Sequence, residues 1–135
     1  MNWNVRVFFR VMTLTVLGLL LFACAQTVAT TEDVGQVQST SLGAVLVAPD
    51  GMTLYTFDED ADRISNCTGL CAEAWPPLMA SDGAEATDGF SVIARSSGGM
   101  QWAYNGQPLY LYYGDSNPGD VSGDGIDGVW HVAQP

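Results

Sequence analysis

Two stretches decide the fold: Asp50-Gly51-Met52-Thr53-Leu54-Tyr55-Thr56-Phe57-Asp58-Glu59-Asp60 and Asn105-Gly106-Gln107-Pro108-Leu109-Tyr110-Leu111-Tyr112-Tyr113-Gly114-Asp115. They align at a constant offset of 55 residues and share [DN]-G-x-[TP]-L-Y-x-[FY]-x-x-D. At the same offset Trp75 falls on Trp130. Self-similarity of this kind marks two copies of one supersecondary unit, each too small to bury a core alone. Asp50-Gly51 and Asn105-Gly106 both read as type I′ hairpin turns, whose two central residues need positive φ. Ala44 to Ala48 and the alternating Met100 to Tyr104 read as the strands before these turns. After each turn, the period of two places Tyr55 with Phe57, and Tyr110 with Tyr112, on one strand face. These aromatics, with Trp75 and Trp130, are expected to form one shared core across a pseudo-twofold axis. The expected fold is all-β: a compact antiparallel domain of two pseudo-symmetric repeats, at about 42–80 and 97–135. One short helical turn is expected near Ala72–Trp75.

Outward from the repeats, the chain of 135 residues has room for one small domain. Its 15 acids all follow residue 30 and face 4 arginines, with no lysine. Without Arg6 and Arg10, two arginines stand against 15 acids, a net charge of −13. Phosphate backbones are bound through clustered Lys and Arg, so this balance argues against nucleic acid as a partner. With 15 Gly and 6 Pro, the composition suits a turn-rich β protein.

The first 23 residues read as an address. Arg6 and Arg10 precede the apolar run 11–22, VMTLTVLGLLLF, which is the form of a secretory signal. The run is short for a spanning helix, which takes about 17–25 apolar residues. Leu21-Phe22-Ala23-Cys24 resembles the lipobox of bacterial lipoproteins. The resemblance implies cleavage before Cys24 and lipid attachment to its sulfur, with membrane lipid as the partner. Cleavage after Ala25 in Ala23-Cys24-Ala25, giving a secreted protein, is the alternative, as is an uncleaved anchor. Residues 24–41, rich in Thr, Ser and Gln, read as the lipidated cysteine and a flexible tether. The domain would then occupy 42–135.

Setting Cys24 aside leaves Cys67 and Cys71, and in an exported chain this pair reads as a disulfide. Such a small ring stabilises toward the low end of the usual range. A redox or thiolate-metal role is the alternative. The lone histidine, His131, lies in a strand pattern, opposite to Trp130, and no nucleophile motif accompanies it. Asp120 and Asp124 sit at positions 1 and 5 of an EF-type loop that lacks the acid at position 12. They are weak candidates for a metal, and turn-capping is the ordinary role of such aspartates. Tyr104, Tyr110, Tyr112, Tyr113 and Trp102 cluster in sequence; core packing and cross-strand pairing on a sheet is the ordinary reading, and an exposed aromatic face for a glycan or a partner protein is the alternative.

Tyr55-Thr56-Phe57-Asp58-Glu59-Asp60 and Tyr110-Leu111-Tyr112-Tyr113-Gly114-Asp115 match the Y-x-[FWY]-x-x-D signature of the predicted lipoproteins called the secreted repeat of unknown function. The segment from Asn66 to Leu78 resembles that family's C-x-G-x-C-A-x-x-W-P-P-L motif. The resemblance spans about residues 42–135. It implies an extracytoplasmic lipoprotein of tandem repeats, with Tyr55, Phe57, Asp60, Trp75, Tyr110, Tyr112, Asp115 and Trp130 as motif residues, and it implies no known reaction. The expected function is that of a non-enzymatic, lipid-anchored envelope protein, without cofactor, whose partner is an envelope protein or a glycan. A metal- or redox-handling accessory protein is the alternative.

Overall fold

The computed structural model describes residues 34–135. The signal and Cys24 readings lie outside the described residues. Seven strands run in order: β1 (Gln36–Thr40), β2 (Gly43–Val47), β3 (Tyr55–Phe57), β4 (Phe90–Ala94), β5 (Met100–Tyr104), β6 (Gln107–Pro108) and β7 (Trp130–Val132). One helical turn, α1 (Leu70–Ala74), lies between β3 and β4, and a 3-10 turn at Ile126–Gly128 precedes β7. All named strand pairings are antiparallel: β1 with β2, β3 with β7, and β4 with β5 and β6.

The repeat begins earlier than the sequence suggests. β1 pairs with β2 from Gln36 opposite Val47 to Thr40 opposite Gly43, and Val34 is buried. Residues 34–41 are therefore part of the domain and not of a tether. β1 exposes Val37 and carries no buried residue, so it lacks the alternation that betrays a half-buried strand. Its order comes from pairing with β2. The hairpin β1–β2 is the counterpart of β4–β5 in the second copy.

The two turns differ. Asn105 and Gly106 have φ of 47° and 85°, the positive pair of a type I′ turn, and join β5 to β6 in two residues. In the first copy only Gly51 has positive φ, at 85°. Gly51 N–H donates to the Ala48 carbonyl at 2.8 Å, and Ala48 N–H to the Met52 carbonyl at 2.8 Å. This is a type I turn headed by Pro49, closed by a left-handed glycine. Pro49 fixes a negative φ that suits the first corner of a type I turn. The extra residue shifts the internal offset to 56 before the turn, so Leu46 matches Trp102: Leu54 N–H meets the Leu46 carbonyl and Leu109 N–H the Trp102 carbonyl, both at 2.9 Å.

A pseudo-twofold axis passes between Tyr55 and Tyr110. Each backbone N–H donates to the other's carbonyl, at 2.8 and 3.0 Å. The end of each repeat crosses this axis and pairs with the other repeat. Ala133 N–H donates to the Leu54 carbonyl at 2.7 Å, and its equivalent Leu78 N–H to the Leu109 carbonyl at 2.9 Å. Leu46 N–H meets the Ala133 carbonyl and Trp102 N–H the Leu78 carbonyl, both at 2.8 Å. The copies are thus interlocked: repeat 1 completes repeat 2 and is completed by it.

Interlocking explains why the alternating pattern breaks. Leu54, Tyr55 and Thr56 are all buried, as are Gln101, Trp102 and Ala103. Their strands lie between two clusters instead of between core and water. Leu54 and Leu109 join Val34, Leu46, Phe90, Trp102 and Ala133 on one side. Tyr55 and Tyr110 join Cys67, Trp75 and Trp130 on the other. The aromatic residues thus form one shared core across the axis, as the repeat pattern predicts, and a second, aliphatic-rich core lies on the other side of the central strands.

Candidate functional site

The aromatic cluster is an ordered stack. Phe57 stacks on Trp130 at 4.3 Å between centroids and 13°, Trp130 on Trp75 at 3.8 Å and 2°, and Trp75 on Tyr112 at 4.4 Å and 30°. The axis passes between the two tryptophans, and Phe57 and Tyr112 are the equivalent ends. Tyr55 meets Trp75 edge-on at 5.4 Å, and Tyr110 meets Trp130 edge-on at 5.2 Å. Edge-to-face contacts bring the positive ring edge onto the negative ring face, which adds about 0.5–1.5 kcal/mol per pair to the burial term. Both faces of each tryptophan are occupied, leaving only edges for any ligand. A Cβ at Gly123 would lie 2.9 Å from Trp75 and Tyr55 atoms, so glycine is required where the loop crosses this stack.

The tyrosine hydroxyls tie the copies together reciprocally. Tyr55 donates to Asp115 Oδ2 at 2.6 Å, and Tyr110 donates to Asp60 Oδ2 at 2.7 Å. Asp60 Oδ1 accepts from Asn66 N–H at 2.7 Å, and Asp115 Oδ1 from Ser122 N–H at 3.0 Å. Each motif aspartate therefore pins its own acidic loop and holds the other repeat's tyrosine. Burial, reinforced by the neighbouring carboxylate, pushes the Tyr55 hydroxyl above its ordinary pKa. Tyr110 is raised by burial too, with Asp60 adding to the effect and Ser65 opposing it. Asp60 itself is raised by burial, against the lowering influence of Asn66, Tyr110 and Arg95.

A second set of residues was not singled out by the sequence pattern. Arg95 is buried and donates to Ser65 Oγ at 2.8 Å, Gln101 Oε1 at 2.6 Å and the Cys67 carbonyl at 2.7 Å. Ser65 Oγ lies 2.8 Å from the Tyr110 hydroxyl. Tyrosine has one proton, already given to Asp60, so Ser65 is the donor in that contact. A directed chain thus runs from the Arg95 guanidinium through Ser65 and Tyr110 to the Asp60 carboxylate. The available signal was scarcity: Arg95 is one of two arginines after residue 30.

Cys67 and Cys71 form a disulfide with Cα atoms 5.2 Å apart. Cys67 is buried against the aromatic stack, and the bond fastens α1, which buries no residue of its own, to that core. The aspartate loops hold backbone. Asp120 accepts from Ser116 and Asn117 N–H at 3.0 and 2.9 Å, which hold its carboxyl below the usual range, and Asp124 accepts from Val132 N–H at 3.0 Å. Among the described residues no three His, Cys, Asp or Glu side chains converge as metal ligands. Asp120 and Asp124 belong to no such group, and each accepts from backbone N–H donors of its own surroundings. His131 projects from β7 away from Trp130, exposed, and its Nε2 lies 2.9 Å from Oδ2 of Asp58, just after β3.

The tyrosine-rich segment packs mostly inward, in keeping with its ordinary reading as core and cross-strand pairs. Trp102 and Tyr110 are buried, Tyr104 and Tyr112 half-buried, and Tyr113 alone is exposed. Among the described residues, two clefts open along α1. One, of about 360 Å³, lies between α1 and the segment after the 3-10 turn, lined by Phe57, Cys71, Ala74, Val129 and the two stacked tryptophans Trp75 and Trp130, with Glu59 and Asp127 at its rim. A shallower one, of about 330 Å³, is formed by Leu70, Glu73, Ala74 and Tyr113.

An all-β domain of two interlocked repeats, clasped by reciprocal Tyr–Asp pairs and a tryptophan stack, defines a tandem-repeat class whose signature residues are architectural. The family model described as the secreted repeat of unknown function matches residues 30–79 and 91–134, and the chain belongs to that family. The two matched segments are the two structural repeats, β1 included. A family of secreted repeats places the domain outside the cytoplasm. No curated protein and no solved structure matches the chain.

Proposed function

We propose that this protein is a non-enzymatic, lipid-anchored component of the cell envelope that acts by binding another envelope component. The supporting observation is how the motif is used: Tyr55, Asp60, Tyr110 and Asp115 satisfy one another's polar groups inside the molecule. The signature thereby builds a rigid platform, and the surface around it is left for recognition. Membrane attachment rests on the lipobox-like Leu21-Phe22-Ala23-Cys24. β1 begins at Gln36, so eleven residues, 25–35, separate it from Cys24. Even fully extended, a chain of that length reaches only about 40 Å. The domain would therefore ride close to the membrane surface.

Fractionation tests the anchoring. Cys24→Ser should move the protein from the membrane to the soluble fraction or stall its processing. A native protein that is fully soluble and begins at residue 26 would refute it.

A further inference from the structure

We infer that the face formed by α1 and the two clefts docks a cationic segment of a partner protein, one basic side chain entering the larger cleft and a neighbouring apolar side chain covering Leu70 and Tyr113. The inference rests on the binding role proposed above and names the partner's chemistry. Leu70 and Tyr113 are 81 and 72 % exposed, and with Glu73 and Ala74 they line one cleft, so they form a contiguous patch and not scattered residues. Ala74 also lines the larger cleft, making the two continuous.

The helical turn that carries Leu70 buries none of its residues. Leu70 takes no part in the packing of Cys71, Ala72 and Ala74 against the aromatic core, which places the turn. The Cys67–Cys71 bond and the Tyr113 N–H to Ala74 carbonyl bond, at 3.0 Å, hold it in position. A patch fixed in this way is preorganised, which lowers the ordering cost of association.

Charge decides what kind of partner suits it. Glu59 and Asp127 rim the larger cleft, Glu73 the smaller, and no lining residue of either is basic. Among the described residues the one carboxylate within 4 Å of an Arg or His nitrogen is Asp58, beside His131, so none of these three carboxylates has a cationic partner there. The larger cleft is apolar in its walls and acidic at its rim. A Lys or Arg side chain has the matching form, an aliphatic stem with a charged tip. A glycan suits it less well, because Trp75 and Trp130 are buried with their faces stacked on other rings. The domain's net negative charge would also steer a cationic partner toward it.

The test uses a short peptide in which Lys and Leu alternate, and the same peptide with Glu in place of Lys. The protein is taken as its host releases it, in nanodiscs of zwitterionic lipid if anchored and in buffer if not. The binding result is thereby independent of the anchoring result, with empty nanodiscs as baseline. At low salt the Lys peptide should bind, with amide shifts in nuclear magnetic resonance spectra centred on residues 70–74, 113 and 127–129. Leu70→Ser with Tyr113→Ser, and separately Glu59→Gln with Asp127→Asn, should each weaken binding about tenfold or more. Asp82→Asn with Glu85→Gln, which line neither cleft, should change it less than about twofold. Equal affinity for the two peptides, or equal loss in all three double variants, would overturn the inference. So would self-association through Leu70, or a glycan oligomer displacing the Lys peptide from this face.

Discussion

Asp60 and Asp120 are both hydrogen-bonded aspartates, yet their environments set opposite pH responses. Burial raises the Asp60 carboxyl in the fold above its value in the unfolded chain. Its ionised form is therefore a cost to the native state, which is relieved as pH falls through the folded pKa and is absent below the ordinary aspartate range near about 3.9. Asp120 is exposed and lowered by Ser116 and Asn117 N–H donors, so its contribution is present above the ordinary range and is lost as pH falls through its folded pKa. Asp60→Asn should gain on the wild type as pH rises from about 4 to about 7, whereas Asp120→Asn should lose on it as pH rises from about 2 to about 4. Denaturant midpoints at the ends of each interval check both signs. Tyr110→Phe should cost about 1–3 kcal/mol at neutral pH, because Asp60 Oδ2 loses its tyrosine donor and the Ser65 hydroxyl loses its acceptor.

At the scale of the strand, Thr53 stands just before β3 and bridges to Val47. Its hydroxyl is buried without a hydrogen-bond partner among the described residues. An unpaired buried hydroxyl costs about 1–3 kcal/mol on protein scales. In the second copy the equivalent position is Pro108, which has no hydroxyl to satisfy and is also buried. Thr53→Val keeps the shape and the β-branching, so it should raise the melting midpoint; a lower midpoint would show that the hydroxyl finds a partner in solution. The turns beside these strands show what local sequence could tell. Asn105-Gly106 is a type I′ turn as its dipeptide predicts. Asp50-Gly51 is not, because Pro49 occupies the first corner and moves the left-handed position to Gly51. The same dipeptide logic failed for want of one residue of context. β1 was hidden for a related reason: its residues Gln36 to Thr40 are polar and unburied, so hydropathy has no period there, and only its register with β2 makes it a strand.

For the molecule as a whole, the repeat was legible because equivalent residues perform equivalent work. Tyr55 and Tyr110 pair with each other, Asp60 and Asp115 each hold the other repeat's tyrosine, and Trp75 stacks on Trp130. An offset in the sequence shows that two copies exist, but not how they are joined. Pairing Leu78 with Leu109 and Ala133 with Leu54 needs contacts between distant parts of the chain, for which a single sequence has no local signal. Arg95 and Gln101 were equally hidden: they break the symmetry, and a buried guanidinium is found only once Ser65 and the Cys67 carbonyl are seen around it. The interlocked ends also make the connection between the copies dispensable once they have met. A scission between Asp82 and Gly83, in the loop joining the two repeats, severs the covalent link but leaves every exchanged strand in its groove. The nicked protein should elute as one body in size-exclusion chromatography, and separately made halves should reconstitute it when mixed, while each half alone should show no cooperative melt. In the language of fragment complementation, the chain is a heterodimer of its own two halves, with residues 81–89 serving to raise their effective concentration.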